Sequence, residues 1–420
     1  MDAKNKSLEI RRHAFQYIDQ YKDKILILTG ARQTGKTWLC LKAAKPNLVL
    51  NFDLSADRKQ FKQFENLPSD PPYPVIFVDE IHKLRGWRNY LKGFGDKFKN
   101  TRFIVSGSSA FELLCNDRGD SLAGRTITIR IEPVTFREYL MSLEHEIDFK
   151  KTFPNAADIL CLMPNPYWSV LTEIPQLRNL WERYYQLGGF PELLSHQDTA
   201  RIGPWLREYM QALLTRDLKD LAGLKDVDRV EQTLHLLLES IGSIYSMRSI
   251  AEVLQCSPNT IKSDILALRK LLWGFELPAS HVRKSRQIQT GKKFYPVDWI
   301  LNHYSNSQDV GSVFETAIIA SVHRHLSFQN FSRPSPLMLS YFRNYQKEEL
   351  DLIIQDHRKI YCAIEIKNKA KGDDISKTYR LVEQVKAPYG IVVTGAPGVF
   401  EYYREKILHV SAEIFLASLY

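Results

Sequence analysis

Cysteine is scarce and scattered. The chain of 420 residues holds five cysteines, Cys40, Cys115, Cys161, Cys256 and Cys362, an odd number with wide separations. That excludes a disulfide framework and a cysteine-based zinc site, and it suits a reducing compartment. No apolar stretch reaches the length of a membrane span. The first residues, Met1-Asp-Ala-Lys-Asn-Lys6, lack the apolar core of a secretory signal. The expectation is a cytoplasmic protein with no membrane partner. Neither charge sign is missing: the net charge is +9 with a pI near 9.1, which permits a nucleic-acid partner without requiring one. With 44% hydrophobic and 25% charged residues the chain is ordinary for a globular protein, and its length allows more than one domain.

What is present begins with residues 24–37, Lys24-Ile-Leu-Ile-Leu-Thr-Gly30-Ala-Arg-Gln-Thr-Gly35-Lys36-Thr37. An apolar run ends in a glycine, four residues follow, and then comes Gly-Lys-Thr. This is the P-loop pattern: a buried strand delivers the chain to a turn whose backbone N–H groups wrap phosphates. The candidate nucleotide-binding residues are Gly30, Ala31, Arg32, Gln33, Thr34, Gly35, Lys36, Thr37 and Trp38. Lys36 supplies positive charge to the β- and γ-phosphates, and the Thr37 hydroxyl suits Mg²⁺. The helix expected from Lys36 points its positive dipole end at the same phosphates. ATP and Mg²⁺ are the expected cofactors.

Around this turn the chain alternates strand and helix. A helix is expected over 8–22, with Leu8, Phe15, Ile18 and Tyr21 on one face, and a second strand over Leu48–Asp53. Val75-Ile-Phe-Val-Asp79-Glu80 then reads as a buried parallel strand ending in two acids. Asp79 is placed to hold Mg²⁺, and Glu80 to orient and deprotonate the attacking water. A further strand, Arg102–Ser106, leads to Gly107-Ser108-Ser109. A hydroxyl there contacts the γ-phosphate or caps the next helix. Thr126–Ile131 is another strand. Arg125, just before it, is either a surface residue or an arginine finger for a neighbouring copy.

The series GARQTGKT, IFVDEIH, IVSGSSAFEL, LAGR and PVTFREYL resembles the AAA-type P-loop ATPases of bacteria and archaea. More narrowly it is similar to the group whose C-terminal half is an uncharacterised domain with a restriction-endonuclease-like end. The resemblance implies an α/β core, a five-stranded parallel sheet with helices on both faces. It also implies nucleotide and Mg²⁺ roles for Gly30, Gly35, Lys36, Thr37, Asp79 and Glu80, a sensor role for Ser106 and a finger role for Arg125. The turn Gly188-Gly189-Phe190-Pro191-Glu192 resembles one in the same group, and Arg216 is either a second sensing arginine or a helix-surface ion pair.

Residues 143–180, with Pro154, Pro164 and Pro166, read as an insertion or lid-like connection. From Ser249 to Leu272 the pattern is helix, tight turn, helix, with Ser257 as cap and Pro258 at the first helical position. A β-wing is expected over 281–300, with Arg283, Lys284, Arg286, Lys292 and Lys293 touching phosphates and Asn259, Thr260, Lys262 and Ser263 facing a major groove. Asp264 on the same helix opposes that reading. Winged helices also serve as packing or dimerisation modules.

The second constellation lies near the other end. A helix over Gly311–Leu326 carries Glu315; strands Glu349–Ile354 and Ile360–Lys367 form a hairpin that brings Asp351 beside Glu365, with Lys367 on the same face. Two carboxylates and a lysine on a polar face suit a divalent metal that activates water for phosphodiester cleavage; the alternative is an exposed charged hairpin edge. The set resembles the PD-(D/E)xK restriction-endonuclease-like superfamily. The resemblance carries Asp351, Glu365 and Lys367 over as catalytic, Asp351, Glu365 and Glu315 as metal ligands, and Gln384 as a further member; Leu350 stands where the family has proline. The expected domains are an AAA-type ATPase at 1–140, a helical lid or linker at 141–230, a winged helix-turn-helix at 231–305 and a nuclease-like domain at 306–420. The expected function is a Mg-dependent ATPase regulating a DNA-associated nuclease-like domain, with RNA also open and Arg125 as a route to a homo-oligomer. The alternative is a nucleotide-dependent switch or DNA-binding regulator with an inactive nuclease fold.

Overall fold

The computed structural model describes residues 8–107, 122, 124–143, 171–174, 176–218, 226–280, 291–305 and 309–419. Ser108, Ser109, Arg283, Lys284 and Arg286 lie outside them, as does most of the expected 143–180 insertion.

Strands β1 (Ile25–Thr29), β2 (Leu48–Asn51), β3 (Val75–Asp79), β4 (Arg102–Ser106) and β5 (Thr126–Arg130) form a five-stranded sheet in the order β2-β3-β4-β1-β5. Every pairing is parallel. β1, paired on both sides by β4 and β5, is buried along its whole length, which explains its unbroken apolar run. Helices α1 (Phe15–Gln20), α2 (Lys36–Ala43), α3 (Ser55–Gln63) and α4 (Trp87–Lys97) flank the strands. Phe52, Phe61, Phe64, Phe94 and Phe103 fill one side of the sheet, and Ile18, Leu39, Cys40 and Ile104 the other.

The helix expected over 8–22 is confined to α1. Upstream of it, Arg12 is buried and its guanidinium donates to Thr34 O at 2.9 Å, to Glu132 O and to Glu138 Oε1. That long side chain ties the leading segment to the P-loop; of the expected face, Phe15 and Ile18 are helical while Leu8 and Tyr21 lie in non-helical backbone. The second and fifth strands also stop short of their expected ends, at Asn51 and Arg130.

Beyond the sheet lie α5 (Phe136–Ser142), α6 (Leu177–Leu187), α7 (Pro191–His196), α8 (Ile202–Ala212) and a π-helical stretch over Leu213–Asp217. α9 (Val227–Glu239), α10 (Met247–Val253) and α11 (Pro258–Lys270) follow. As expected, Ser257 caps α11, its hydroxyl accepting from Thr260 N, with Pro258 in the first turn. The hairpin after α11 pairs β6 (Gly274–Pro278) with β7 (Lys292–Pro296). Its first strand therefore lies upstream of the expected start at 281, where Phe275 and Leu277 alternate with polar positions and Trp273 stacks on Phe294.

The C-terminal region opens with α12 (Val310–Phe331). β8 (Met338–Arg343), β9 (Glu349–Gln355) and β10 (Ile360–Lys367) make an antiparallel meander. α13 (Gly372–Val385) crosses to β11 (Gly390–Thr394), which runs parallel to β10. β12 (Phe400–Tyr403), β13 (Ile407–Ser411) and α14 (Ala412–Ser418) complete a six-stranded mixed sheet ordered β12-β13-β11-β10-β9-β8. Alternation sends Ile364 and Ile366 to a core shared with α6, α8, α9 and α11, and Ala363 to a smaller one under α13. α12 joins both ends of the molecule: Ile318 and Val322 lie in the shared core, and Phe328 packs with Leu39 and Ile104 under the first sheet. No helix among the described residues is long and apolar enough to cross a membrane.

Candidate functional site

The P-loop leaves the C-terminal edge of β1. Gly30 has φ +146°, and a Cβ there would lie 2.2 Å from the Ile131 carbonyl oxygen, so only glycine lets the turn pass that close to the chain after β5. Gly35, at φ +88°, precedes α2. Lys36 is buried, and its ammonium donates to Gly30 O at 3.0 Å and Ala31 O at 2.8 Å. Burial lowers its pKa to about 8 despite the nearby Glu80 and Asp79 carboxylates. The Thr34 hydroxyl also donates to Ala31 O, at 2.9 Å, which tightens the loop. Gln33 is exposed at positive φ. Trp38 packs edge-on against Phe15, ring centroids 6.1 Å apart.

Asp79 sits at the end of β3 beside this loop. The Thr37 hydroxyl donates to its Oδ2 at 2.7 Å, and the Ser106 hydroxyl to its Oδ1. The three residues predicted from separate segments thus meet at one carboxylate. Glu80 adopts φ +55°, a left-handed conformation that costs a non-glycine residue and recurs where a side chain is aimed for function. Burial is the main reason its carboxyl pKa is raised, reinforced by Asp79 and opposed by Lys36. His82 Nδ1 stands 3.4 Å from Glu80 Oε2.

Sequence reasoning missed two partners of the loop. Arg12 grips Thr34 O from the preceding segment. Asp217, in the π-helical stretch, accepts two hydrogen bonds from Arg32. Neighbouring Arg216 is exposed, and Asp217 makes the ion pair instead. A cavity of about 230 Å³ opens beside the loop, lined by Leu8, Ile10, Gly35, Trp38, Pro191 and Glu192 among others. The Gly188–Glu192 turn thus forms one wall of the space next to α2. A larger cleft of about 680 Å³, bordered by Arg130, Arg269, Phe275 and His323, lies apart from the P-loop.

Arg125 stands at the opposite end of the sheet. Ile25 pairs with Thr126, so Arg125 precedes the first rung while Gly30 follows the last; a strand of this length separates them by about 17 Å. It pairs with Asp96 at 3.0 Å and does not reach this chain's own P-loop.

In the C-terminal sheet, Leu352 pairs with Ile364, and Asp351 and Glu365, the next residues of the two strands, lie close enough for their carboxylates to repel. Asp351 Oδ2 accepts from Ile366 N at 2.7 Å, and Glu365 Oε1 from Lys367 Nζ at 2.7 Å. Burial and the neighbouring Glu365 and Glu315 push the Asp351 carboxyl well above the usual range; burial likewise raises Glu365. Glu315 accepts from Tyr295 OH and lies 3.7 Å from Lys293 Nζ, which also pairs with Glu349. Among the described residues no three histidine, cysteine, aspartate or glutamate side chains converge as a metal site. The expected Glu315, Asp351 and Glu365 ligand set therefore does not close as a metal site: Glu315 is bonded by Tyr295 and faces Lys293, and Glu365 is bonded by Lys367.

Three further expectations are corrected. Lys293 does not belong to a phosphate-facing wing; its side chain is 2% exposed and lies among these acids. Asp264 does not oppose nucleic acid, because it is buried and bonded twice by Arg229 at 2.9 and 3.0 Å. Gln384 sits outside the acid face, accepting from Asn344 Nδ2 at 3.4 Å, while Lys377 of α13 lies near Glu365 instead. Lys292 and Lys293 fall on opposite faces of a strand, the one sequence signal that separates their roles.

Residues 22–140 match the model of an AAA domain, and residues 178–309 and 310–412 match two domains of unknown function. An uncharacterized protein of Haemophilus influenzae is 22% identical over 318 residues, covering 70% of this chain and 72% of the relative. One from Methanocaldococcus jannaschii is 25% identical over 414 residues, covering 90% and 82%. Among solved structures, a Walker-type ATPase of Pyrococcus abyssi aligns at 15% identity and TM-score 0.41, covering 72% of this chain and 98% of its own. The chain carries an AAA-type P-loop ATPase domain at its N-terminal side, which implies ATP binding and supports ATPase activity.

Proposed function

We propose that the protein is a Mg²⁺-dependent ATPase whose nucleotide state controls a C-terminal acid face acting on nucleic-acid phosphodiesters. The observation that carries the ATPase reading is the meeting of Thr37 and Ser106 on the two oxygens of Asp79. Thr37 and Asp79 would hold Mg²⁺, whose charge would draw the phosphate oxygens together. Lys36 exchanges the Gly30 and Ala31 carbonyls for phosphate oxygens. Glu80 takes a proton from the attacking water, and Ser106 positions Asp79. The base of the nucleotide lies in the cavity between Trp38 and Pro191. Arg125, far from its own loop, serves a neighbouring copy as a finger in a homo-oligomer. ATP hydrolysis that persists unchanged in Lys36→Ala and Glu80→Gln would refute this reading.

The αβββαβ order of α12, β8, β9, β10, α13 and β11 supports the restriction-endonuclease-like reading of 306–420, with Asp351 and Glu365 as ligands and Lys367 beside the scissile phosphate. Exposed Asn259, Lys262 and Ser263 on α11 support DNA contact by a winged helix over 231–305, with 141–230 as lid and 1–140 as the ATPase domain. Metal-dependent cleavage of DNA or RNA that vanishes in Asp351→Ala and Lys367→Ala is the expected result. A second reading, a switch that cuts nothing, is favoured by the two lysines bonded within the acid face. Absence of cleavage with all substrates, alongside normal ATP turnover, selects it.

A further inference from the structure

We propose that Lys293 is a tethered cation, inserted from the β6–β7 hairpin into the place a divalent metal ion takes among Glu315, Asp351 and Glu365. Metal enters only when β7 withdraws it. This rests on the reading of the C-terminal acids as a metal-binding face and adds how that face is kept shut.

Four observations carry it. First, strand alternation sends Lys293 and Tyr295 to the same side of β7, and both reach Glu315. A lysine with a side chain 2% exposed is rare unless it is paired, and here its partners are Glu315 and Glu349. Second, the Oε2 atom of Glu365, itself 4% exposed, is buried without a hydrogen-bond partner. A buried carboxylate oxygen beside other acids marks where a cation fits. Third, the face gathers four acids, Glu315, Glu349, Asp351 and Glu365, against two lysines, Lys293 and Lys367, so acids already outnumber cations and removing one ammonium deepens an imbalance that a divalent ion offsets. Fourth, β7 is anchored at the nucleotide side. Just past its end, Asp298 accepts from Gly189 N at 2.7 Å and from Arg324 at 2.6 Å, and Gly189 belongs to the turn whose Pro191 lines the cavity beside Gly35. The strand that carries Lys293 is thereby tied to the wall of the proposed base pocket.

The test titrates the nucleotide-free full chain with Mn²⁺ and reads the free ion by electron paramagnetic resonance. Lys293→Met binds one Mn²⁺ about tenfold or more tightly than the wild type, Lys293→Arg stays near the wild type, and Lys293→Met/Asp351→Asn loses the gain. A Lys293→Met chain that melts normally but binds no more tightly than wild type overturns the proposal, as does a gain that survives Asp351→Asn. If Lys293→Met does not fold, the wild type decides. Saturating Mn²⁺ raises acylation of Lys293, read by peptide mass spectrometry, and unchanged acylation overturns the proposal. Neither readout needs cleavage, so a chain that binds Mn²⁺ as expected yet cuts nothing refutes the nuclease reading and upholds the role of Lys293.

Discussion

Asp217 holds Arg32 through two hydrogen bonds, 2.7 and 3.0 Å long, between residues 185 positions apart. One partner is in the phosphate-binding turn and the other in the helical region beyond the sheet. The aspartate is 3% exposed and the arginine 29%, so the pair is shielded on one side and solvated on the other.

Asp217→Asn removes the charge and leaves the Arg32 fork half-satisfied. The expected loss is about 1–3 kcal/mol of stability. A lowered thermal midpoint without nucleotide, together with weaker ADP binding by calorimetry, checks it; an unchanged ADP affinity would show that the pair does not shape the loop.

Glu80 acts as a base only when deprotonated, and its folded-state pKa is raised, chiefly by burial. ATPase activity therefore falls on the acid side at a higher pH than an ordinary carboxylate would give. Glu80→Gln should lower kcat by about 10²- to 10⁴-fold while ATP binding survives. A pH–rate profile of the wild type with its acid limb at the normal glutamate value would count against this role.

His325 on α12 is fully buried, and burial lowers its pKa to about 3. A histidine whose folded pKa lies below its unfolded value contributes stability above the unfolded pKa and loses it as pH falls. Stability should therefore decline from about pH 6.5 towards pH 3, by up to about 1.4 kcal/mol per pH unit from this residue. His323, lowered to about 4, adds to the slope over its own range. Urea unfolding at stepped pH measures it; His325→Asn should flatten the curve.

Arg324 and Asp298 form a fully buried ion pair at 2.6 Å, and Arg324 also donates to Val134 O, Tyr184 OH and Val297 O. Asp298→Ala strands a buried charge and should cost about 3–5 kcal/mol. The double variant Asp298→Asn/Arg324→Met should lose less than Asp298→Ala, because no charge is left unpaired. Denaturant midpoints for the set decide it; equal losses would show that packing, not charge, is what the pair supplies.

Much of the nucleotide site was legible because its signals are local. Lys36 and Thr37 sit within one turn of Gly35, and Asp79-Glu80 end an unbroken apolar strand, so each announces itself within a few residues. The five strands of the first sheet followed from the same apolar runs. The β9–β10 hairpin itself followed from its two apolar runs and the short turn between them. Arg12, Asp217 and Lys293 were not legible in their roles. Their partners come from other segments, and nothing in the neighbouring residues marks one arginine or lysine as buried. The leading helix was overextended because an apolar spacing was read without the cost of placing Arg12 inside the protein. The hairpin after α11 begins earlier than expected because its basic residues, rather than Phe275 and Leu277, drew the expected boundary.

α12 runs for 22 residues, about 33 Å, from Val310 to Phe331; its first half carries Glu315 at the acid face, and its end carries Phe331, whose ring lies 4.3 Å from Tyr17 and 5.7 Å from Tyr21. The ATPase sheet thus borrows part of its own interior from the far half of the chain. A fragment cut after the helical middle would bare the socket that Phe328 and Phe331 fill, and would invite precipitation at the concentrations used for assay. The two halves are accordingly not interchangeable cassettes: recombination that swaps one must carry this helix with it, or rebuild the surface it leaves behind.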